Sequence, residues 1–348
     1  MSLYMDKKYR AIEPYTPGEQ PTAGKFIKLN TNENPYGPSP EVQKAVEEEA
    51  KRLNLYSDPE CGVFLSTLAD YLNIGKKQVF ASNGSDEVLA FVFQAFAEKG
   101  VAFADLTYGF YPVYAALYGV DAKLIPLTED FTLRPDDYYN LEKTIVLANP
   151  NAPTGLAVGV SDLRGILEHN RGNLVVVDEA YVDFGAESAV CLLEDYDNLL
   201  IIGTFSKSRS MAGARLGYAA GSEELIASLN KIKFSFNPYN VNRMTLAAGA
   251  AALRDDAWFR NARDKIVLAR EHTLRALREM GFICTDSKAN FIFTRHPEKP
   301  GKGLFLGLRE AGILVRRFDK ERIADWLRIS VGTMDDMNAL ITALRRIL

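Results

Sequence analysis

Lys207 stands between two hydroxyls, in Gly203-Thr204-Phe205-Ser206-Lys207-Ser208, directly after the apolar run Leu199-Leu200-Ile201-Ile202. Arg215 follows in Ala212-Gly213-Ala214-Arg215-Leu216-Gly217. Upstream, Leu174-Val175-Val176-Val177 runs into Asp178-Glu179-Ala180-Tyr181. A nucleophilic lysine needs its neutral amine, which burial and neighbouring cations favour. Alone, Lys207 would be a solvated strand-end lysine. With hydroxyls, an arginine and an acid around it, it belongs to the set that holds an aromatic aldehyde phosphate as a Schiff base.

Each partner has a chemical reason to be there. Asp178 follows three valines, and acids at the rim of a buried strand need a partner. Its carboxylate could pair with a protonated pyridine nitrogen and keep such a ring an electron sink; the plain alternative is an N-cap. Tyr181, three residues on, could offer its phenol to a ring oxygen. Gly84-Ser85-Asp86 opens a helical stretch that continues into Val88-Leu89-Ala90-Phe91. Helix N-terminal amides attract anions, and the Ser85 hydroxyl adds a donor. The charge of Asp86 opposes an anion unless it points away. Ser206 adds a hydroxyl and Arg215 a bidentate contact. Tyr108, in Thr107-Tyr108-Gly109-Phe110-Tyr111, could stack on the ring. Arg328 sits in the apolar run Leu327-Arg328-Ile329-Ser330, where a lone arginine needs an anion. Arg316 and Arg317 close another such run and could serve the same anion.

These residues need a frame. From about residue 60 to 230, helical stretches alternate with the short apolar runs Val79–Ala81, Val101–Phe103, Ala122–Leu127, Thr144–Ala148, Leu174–Val177, Leu199–Ile202 and Leu216–Ala220. Runs this short, apolar on both faces and separated by helices, predict an α/β fold: a mostly parallel sheet covered by helices on both sides. Ligands bind outside the carboxyl ends of such strands. The clusters at Ser82–Asp86, Asn149–Asn151, Asp178 and Ser206–Lys207 fall at those ends. Residues 1–40 are rich in Pro, Gly, Asn and Thr and read as an extended arm. Residues 41–255 read as the large domain. Residues 256–348 read as a small α+β domain, which the arm joins.

Composition narrows the function. The chain has 348 residues, 47% hydrophobic and 25% charged, with net charge −4. Acids and bases are interspersed, so neither nucleic acid nor an anionic membrane surface is an expected partner. Three scattered cysteines, Cys61, Cys191 and Cys284, make no metal or disulfide pattern. They are expected reduced, in the cytoplasm. No apolar run is long enough to span a membrane. No G-x-G-x-x-G turn with a following acid suggests a nicotinamide dehydrogenase. A cofactor-sensing transcription regulator would carry a DNA-binding segment ahead of the arm.

In order along the chain, the blocks Leu29-Asn30-Thr31-Asn32-Glu33-Asn34-Pro35-Tyr36-Gly37, Asn83-Gly84-Ser85-Asp86-Glu87, Asn149-Pro150-Asn151-Ala152-Pro153-Thr154-Gly155, Asp178-Glu179-Ala180-Tyr181, Ser206-Lys207-Ser208 and Arg328-Ile329-Ser330-Val331-Gly332-Thr333 resemble the class I/II aminotransferases of fold type I. Within them, the branch resembled is the one acting on histidinol phosphate. The resemblance implies pyridoxal 5'-phosphate as cofactor, histidinol phosphate and 2-oxoglutarate as small-molecule substrates, and a homodimer. An aromatic or broad-range aminotransferase and a threonine-phosphate decarboxylase are rivals on the same scaffold. By the resemblance, Lys207 carries the Schiff base, Asp178 pairs with the ring nitrogen and Tyr181 bonds the ring oxygen. Thr204, Ser206, Arg215 and the Gly84-Ser85-Asp86 amides lie at the phosphate end, and Tyr108 stacks on the ring. Tyr56 reaches the neighbouring subunit's phosphate. Tyr15, Asn34, Arg316 and Arg328 face the substrate. Two positions depart from the family pattern. Ala152 replaces the usual asparagine before Pro153, so either Asn151 supplies that bond to the ring oxygen or Tyr181 serves alone. Arg209 replaces an aromatic or apolar residue and is expected to face solvent.

Overall fold

The computed structural model describes residues 2–21 and 26–348; residue 1 and residues 22–25 of the expected arm lie outside them. The arm contributes strand β1 (Ile27–Lys28). Seven strands then build the main sheet: β2 (Val79–Asn83), β3 (Val101–Ala104), β4 (Ala122–Ile125), β5 (Thr144–Ala148), β6 (Val175–Asp178), β7 (Leu199–Thr204) and β8 (Leu216–Gly221). Their order is β2-β8-β7-β6-β5-β3-β4. β8 runs antiparallel to both neighbours, and every other pair is parallel.

Alternation along the central strands explains the two covered faces. Val175, Val177 and Ile201 point into a core with Phe64, Leu68, Ile166 and Ala248. Val176, Leu200 and Ile202 point into another with Val88, Val92, Tyr111 and Leu229. Helices Gly62–Leu72, Val160–Glu168 and Arg243–Arg254 therefore cover one face. Helices Ser85–Ala95, Phe110–Tyr118 and Glu223–Phe236 cover the other. β4 departs from the expected two-sided burial: Ala122, Lys123 and Leu124 are exposed, because this strand is the sheet edge.

The register decides where chemistry can gather. Ala148 lies opposite Asp178, and Asp178 opposite Ile202. The carboxyl ends of β5 and β6 are therefore level, and β7 runs two residues further, to Thr204. From β5 the chain proceeds to β6 and β7 on one side, while β3 and β4 lie on the other. A crevice opens at such a reversal.

A second sheet is antiparallel, with order β12-β13-β10-β9 for β9 (Ile283–Cys284), β10 (Phe291–Arg295), β12 (Arg316–Arg317) and β13 (Leu327–Ser330). Helices Asp256–Glu279 and Met334–Ile347 pack on it through Ile266, Leu277, Leu340 and Leu344. The run Gly312–Arg316 forms two short strands rather than one. Its first half, β11 (Ile313–Leu314), pairs with β1, and Val315 separates it from β12. The arm is thus stitched to this second body. No helix among the described residues is long and apolar enough to cross a membrane.

β8 runs hard against the start of helix Ser85–Ala95. A β-carbon at Gly217 would collide with the Gly84 carbonyl carbon and the Ser85 nitrogen, both main-chain atoms. Backbone cannot swing aside as a side chain can. Gly217→Ala should therefore destabilise the chain by about 2 kcal/mol and shift the first amides of that helix. Thermal melting with a cofactor titration checks this; an unchanged melting temperature and affinity would mean the strand gives way freely.

Candidate active site

Asp178 ends β6 as a fully buried acid. Its Oδ2 accepts from the Tyr111 hydroxyl at 2.8 Å, and its Oδ1 from the Ala180 N–H at 3.2 Å. Burial pushes its carboxyl up to about 6, against the pull of those two donors. Lys207 emerges just past β7, with its Nζ 5.8 Å from the ring centre of Tyr181. Asp178, Tyr181, Lys207 and Tyr108 line one cavity of about 190 Å³.

The far end of that cavity is built for an anion. Gly84 has φ +72°, and a β-carbon there would strike the Arg215 guanidinium. Arg215, itself left-handed at φ +55°, lies against Ser206 Oγ at 3.4 Å. Ser85 and Asp86 supply the first turn of helix Ser85–Ala95, and Thr204 Oγ1 donates to Ser206 Oγ at 3.0 Å. The Asp86 carboxylate does not point away. It accepts from Arg215 at 3.1 Å and from the Tyr108 hydroxyl at 2.9 Å, joining the two.

A wider cleft of about 810 Å³ opens above, sharing Tyr108, Tyr181 and Lys207 with the cavity. Arg328 lies at its wall, half-buried, with Nη2 donating to the Asn30 carbonyl at 3.2 Å and a buried Nε that has no partner among the described residues. Burial pushes its pKa down from the ordinary guanidinium value. Arg316 faces Arg328 across the β12–β13 pair. Its guanidinium donates to the carbonyls of Thr16 and Pro17, fastening the arm. Tyr15 stacks on Phe110 at 4.3 Å and lines the same cleft.

Four expected residues lie elsewhere. Asn151 turns its amide to the Leu106 carbonyl at 2.9 Å and to Thr154 Oγ1 at 3.1 Å, and lines a separate cavity of about 80 Å³. It is not among the groups lining the Lys207 cavity; Ala152 and Pro150 are. Asn34 donates to the carbonyls of Lys207 and Ser208 at 3.1 and 3.2 Å, so it grips the backbone of the lysine instead of facing the cleft. Tyr56 is 81% exposed and stacks on Tyr239 at 4.6 Å, away from this chain's own cavity. Arg209 does not face solvent. It is 8% exposed, with its guanidinium 3.5 Å from the ring centre of Phe259 and 4.8 Å from that of Tyr71. Its Nη1 donates to Ala252 at the end of helix Arg243–Arg254. Aromatic faces and a helix-end carbonyl replace water around that cation.

Sequence reasoning passed over three groups. Tyr111 lies three residues after Tyr108 at the start of a helix, a spacing that puts both on one side. Asn32 donates to the Tyr181 oxygen at 3.0 Å. Glu33 lines the Lys207 cavity and pairs with Lys28.

The family model for aminotransferase class I and II matches residues 24–344. The chain belongs to the class I and II aminotransferases. It is 48% identical over 351 residues to a histidinol-phosphate aminotransferase of a Marinomonas species, covering 99% of each chain. It is 47% identical over 348 residues to one of Clostridium acetobutylicum, again covering 99% of each. The crystal structure of a histidinol-phosphate aminotransferase from Sinorhizobium meliloti, in complex with pyridoxal 5'-phosphate, superposes with a TM-score of 0.83. It is 24% identical, and the match covers 93% of this chain and 91% of that one. In this aminotransferase, as in that structure, a mostly parallel sheet carries helices on both faces.

The raised Asp178 carboxyl has a thermodynamic consequence. Its folded pKa lies above the unfolded value, so the folded chain keeps a proton that the unfolded chain releases. Stability is lost as pH rises from about 4 to about 6, reaching about 3 kcal/mol above that range. Without cofactor, Asp178→Asn should therefore melt above the parent near pH 8, and the gap should close toward pH 4. Melting curves of both apo proteins across that range decide it; a gap independent of pH would remove buried charge as the cause. Glu179, pushed up to about 7 by burial and, to a lesser degree, by the charges of Asp183 and Asp178, is relieved of the last in the variant, which adds to the gap at high pH in the same direction.

Proposed function

We propose that this aminotransferase moves the amino group of histidinol phosphate to 2-oxoglutarate, giving imidazole-acetol phosphate and L-glutamate in histidine biosynthesis. The observation that carries the substrate assignment is near-half identity, over the whole chain, to two histidinol-phosphate aminotransferases.

Pyridoxal 5'-phosphate fits the donor set of the cavity. Arg215, Ser206 and the amides of Ser85 and Asp86 would hold its phosphate. Asp178 would face its ring nitrogen, Tyr181 its ring oxygen, and Tyr108 would stack on the ring. When bound, the cofactor supplies an electrophilic aldehyde carbon and a ring that accepts the electron pair left when a Cα–H bond breaks. Asp178 then has the partner that its burial lacks, and as a carboxylate it keeps the ring nitrogen protonated. Lys207 would hold the aldehyde carbon. Once the incoming amine takes that place, its Nζ would be the group that takes and returns a proton beside the substrate Cα, as base and then acid. Arg328, with Arg316 beside it, would receive the anionic end of either substrate.

The reading also assigns residues 1–40 to the small body as its arm, 41–255 to the cofactor-binding body and 256–348 to the small body. It makes the enzyme a homodimer and places it in the cytoplasm, where its three free cysteines would stay reduced. Exposed Leu53, Leu55, Tyr56 and Val63 offer an apolar surface for a second copy. Tyr56 on that surface would reach the partner's phosphate.

Absorbance of the bound cofactor tests the substrate. Histidinol phosphate and glutamate should each convert the visible band, while phenylalanine and threonine phosphate at equal concentration should not. Conversion by phenylalanine would favour a broad aromatic enzyme; carbon dioxide released from threonine phosphate would sink transamination. Lys207→Ala should lose on the order of 10²- to 10⁴-fold or more in turnover. It should also hold no borohydride-fixed cofactor; a fixed adduct in that variant would overturn the lysine assignment.

A further inference from the structure

Tyr181 receives a hydrogen bond and has somewhere else to send its own proton. Asn32 Nδ2 donates to the Tyr181 oxygen at 3.0 Å. Among the described residues, the Tyr181 hydroxyl proton has no protein acceptor, and the side chain lines both the cavity and the cleft.

The direction of that bond is fixed one step further out. The Asn32 main-chain N–H donates to Ser330 Oγ at 2.7 Å. With that lone pair engaged, Ser330 sends its own proton to Asn32 Oδ1 at 2.9 Å. An amide whose oxygen is occupied in this way must present its NH₂ on the other side. That side faces Tyr181. Asn32 is 1% exposed with φ +56°, and its carbonyl accepts from Asn290 at 3.0 Å, so the residue cannot turn over.

We infer that Asn32 and Ser330 are positioning residues that fix Tyr181 as a hydrogen-bond donor toward the cavity. The inference rests on the proposed cofactor site, where the receiving atom is the ring oxygen. It also answers what replaces the family's asparagine at Ala152. With Asn151 committed to Leu106 and Thr154, Tyr181 is left as the donor, and the arm and β13 set its polarity. Arg328 and Ser330 are two apart on β13 and so share a face. One strand carries both an anion-binding guanidinium and the hydroxyl that orients the relay.

A donor to the ring oxygen stabilises negative charge there and eases loss of the proton shared with the Lys207 nitrogen. The pH midpoint of the holoenzyme's visible absorbance therefore reads the polarity directly. The other charged or titratable groups lining the cavity are Glu33 on the arm, Asp86 on its helix, Tyr108, Asp178 and Arg215, and those of the cleft are Glu13, Tyr15, Arg316, Lys320 and Arg328; all stay unchanged in the variants below.

Tyr181→Phe should raise the midpoint by about one unit or more. Asn32→Asp presents only acceptors, draws the Tyr181 proton away from the cavity, and should raise it comparably. Ser330→Ala frees the amide to turn without adding charge, and should raise it by less. Neither change should add a further rise in a Tyr181→Phe background, apart from the charge effect of the carboxylate. Ser330→Ala alone decides if Asn32→Asp fails to hold cofactor. If Tyr181→Phe shifts the midpoint and Ser330→Ala does not, the relay is wrong while the cofactor site stands. If the wild-type holoenzyme shows no titrating band, the cofactor reading itself falls, and the relay with it.

Discussion

A carboxylate at the dry end of a strand is the constraint from which most of this structure follows. Asp178 is buried because β6 is sandwiched between β5 and β7 and covered by helices on both faces. Three buried valines precede it in the strand. Two donors, the Tyr111 hydroxyl and the Ala180 N–H, are too few to bring its carboxyl back to the ordinary range. A buried charge without full compensation is costly. The charge of Lys207, just past the neighbouring strand, pulls the carboxyl down only weakly. In the proposed site, a protonated ring nitrogen would be the cation that completes its compensation.

The same economy governs the coupling of the two bodies. The arm pairs with the small body through β1 and β11, contributes Asn32 and Asn34, and then enters the large body. Asn34 grips the backbone of Lys207, and Asn32 touches Tyr181. On the other side Ser330, Asn290 and Arg328 hold the arm through hydrogen bonds to Asn32 and Asn30. Asn34 and Asn32 thus link the small sheet directly to Lys207 and Tyr181, with no long lever required.

What could be read in the sequence was what depends on neighbours along the chain. Lys207, Asp178 and the glycine before helix Ser85–Ala95 each stand at the end of a short apolar run, and a parallel sheet collects strand ends on one rim. The large sheet was legible for the same reason, save for edge strand β4, whose burial depends on how many strands follow it. Arg209 was misread because its partners, Tyr71 and Phe259, are contributed by distant helices and leave no local trace. Asn34 and Asn151 sit inside recognisable blocks, yet their amides turn to main-chain carbonyls, and no residue type announces a rotamer. Tyr111 and Asn32 were missed because each acts through another residue. A sequence shows what can do chemistry more readily than what holds it still.

Two arginines face one another across β12 and β13, and their different surroundings say what each is for. Arg316 spends its donors on the carbonyls of Thr16 and Pro17, so it fastens the arm that carries Tyr15 over the cleft. Arg328 has one carbonyl partner and a buried Nε with none. An unsatisfied buried donor on a guanidinium costs the folded chain on the order of 1–3 kcal/mol, and no carboxylate among the described residues relieves it. In the proposed site an anion would satisfy that donor, close to the arm segment that Arg316 holds. The same strand carries Ser330, which bonds Asn32 of the arm, so β13 touches both the cleft and the arm.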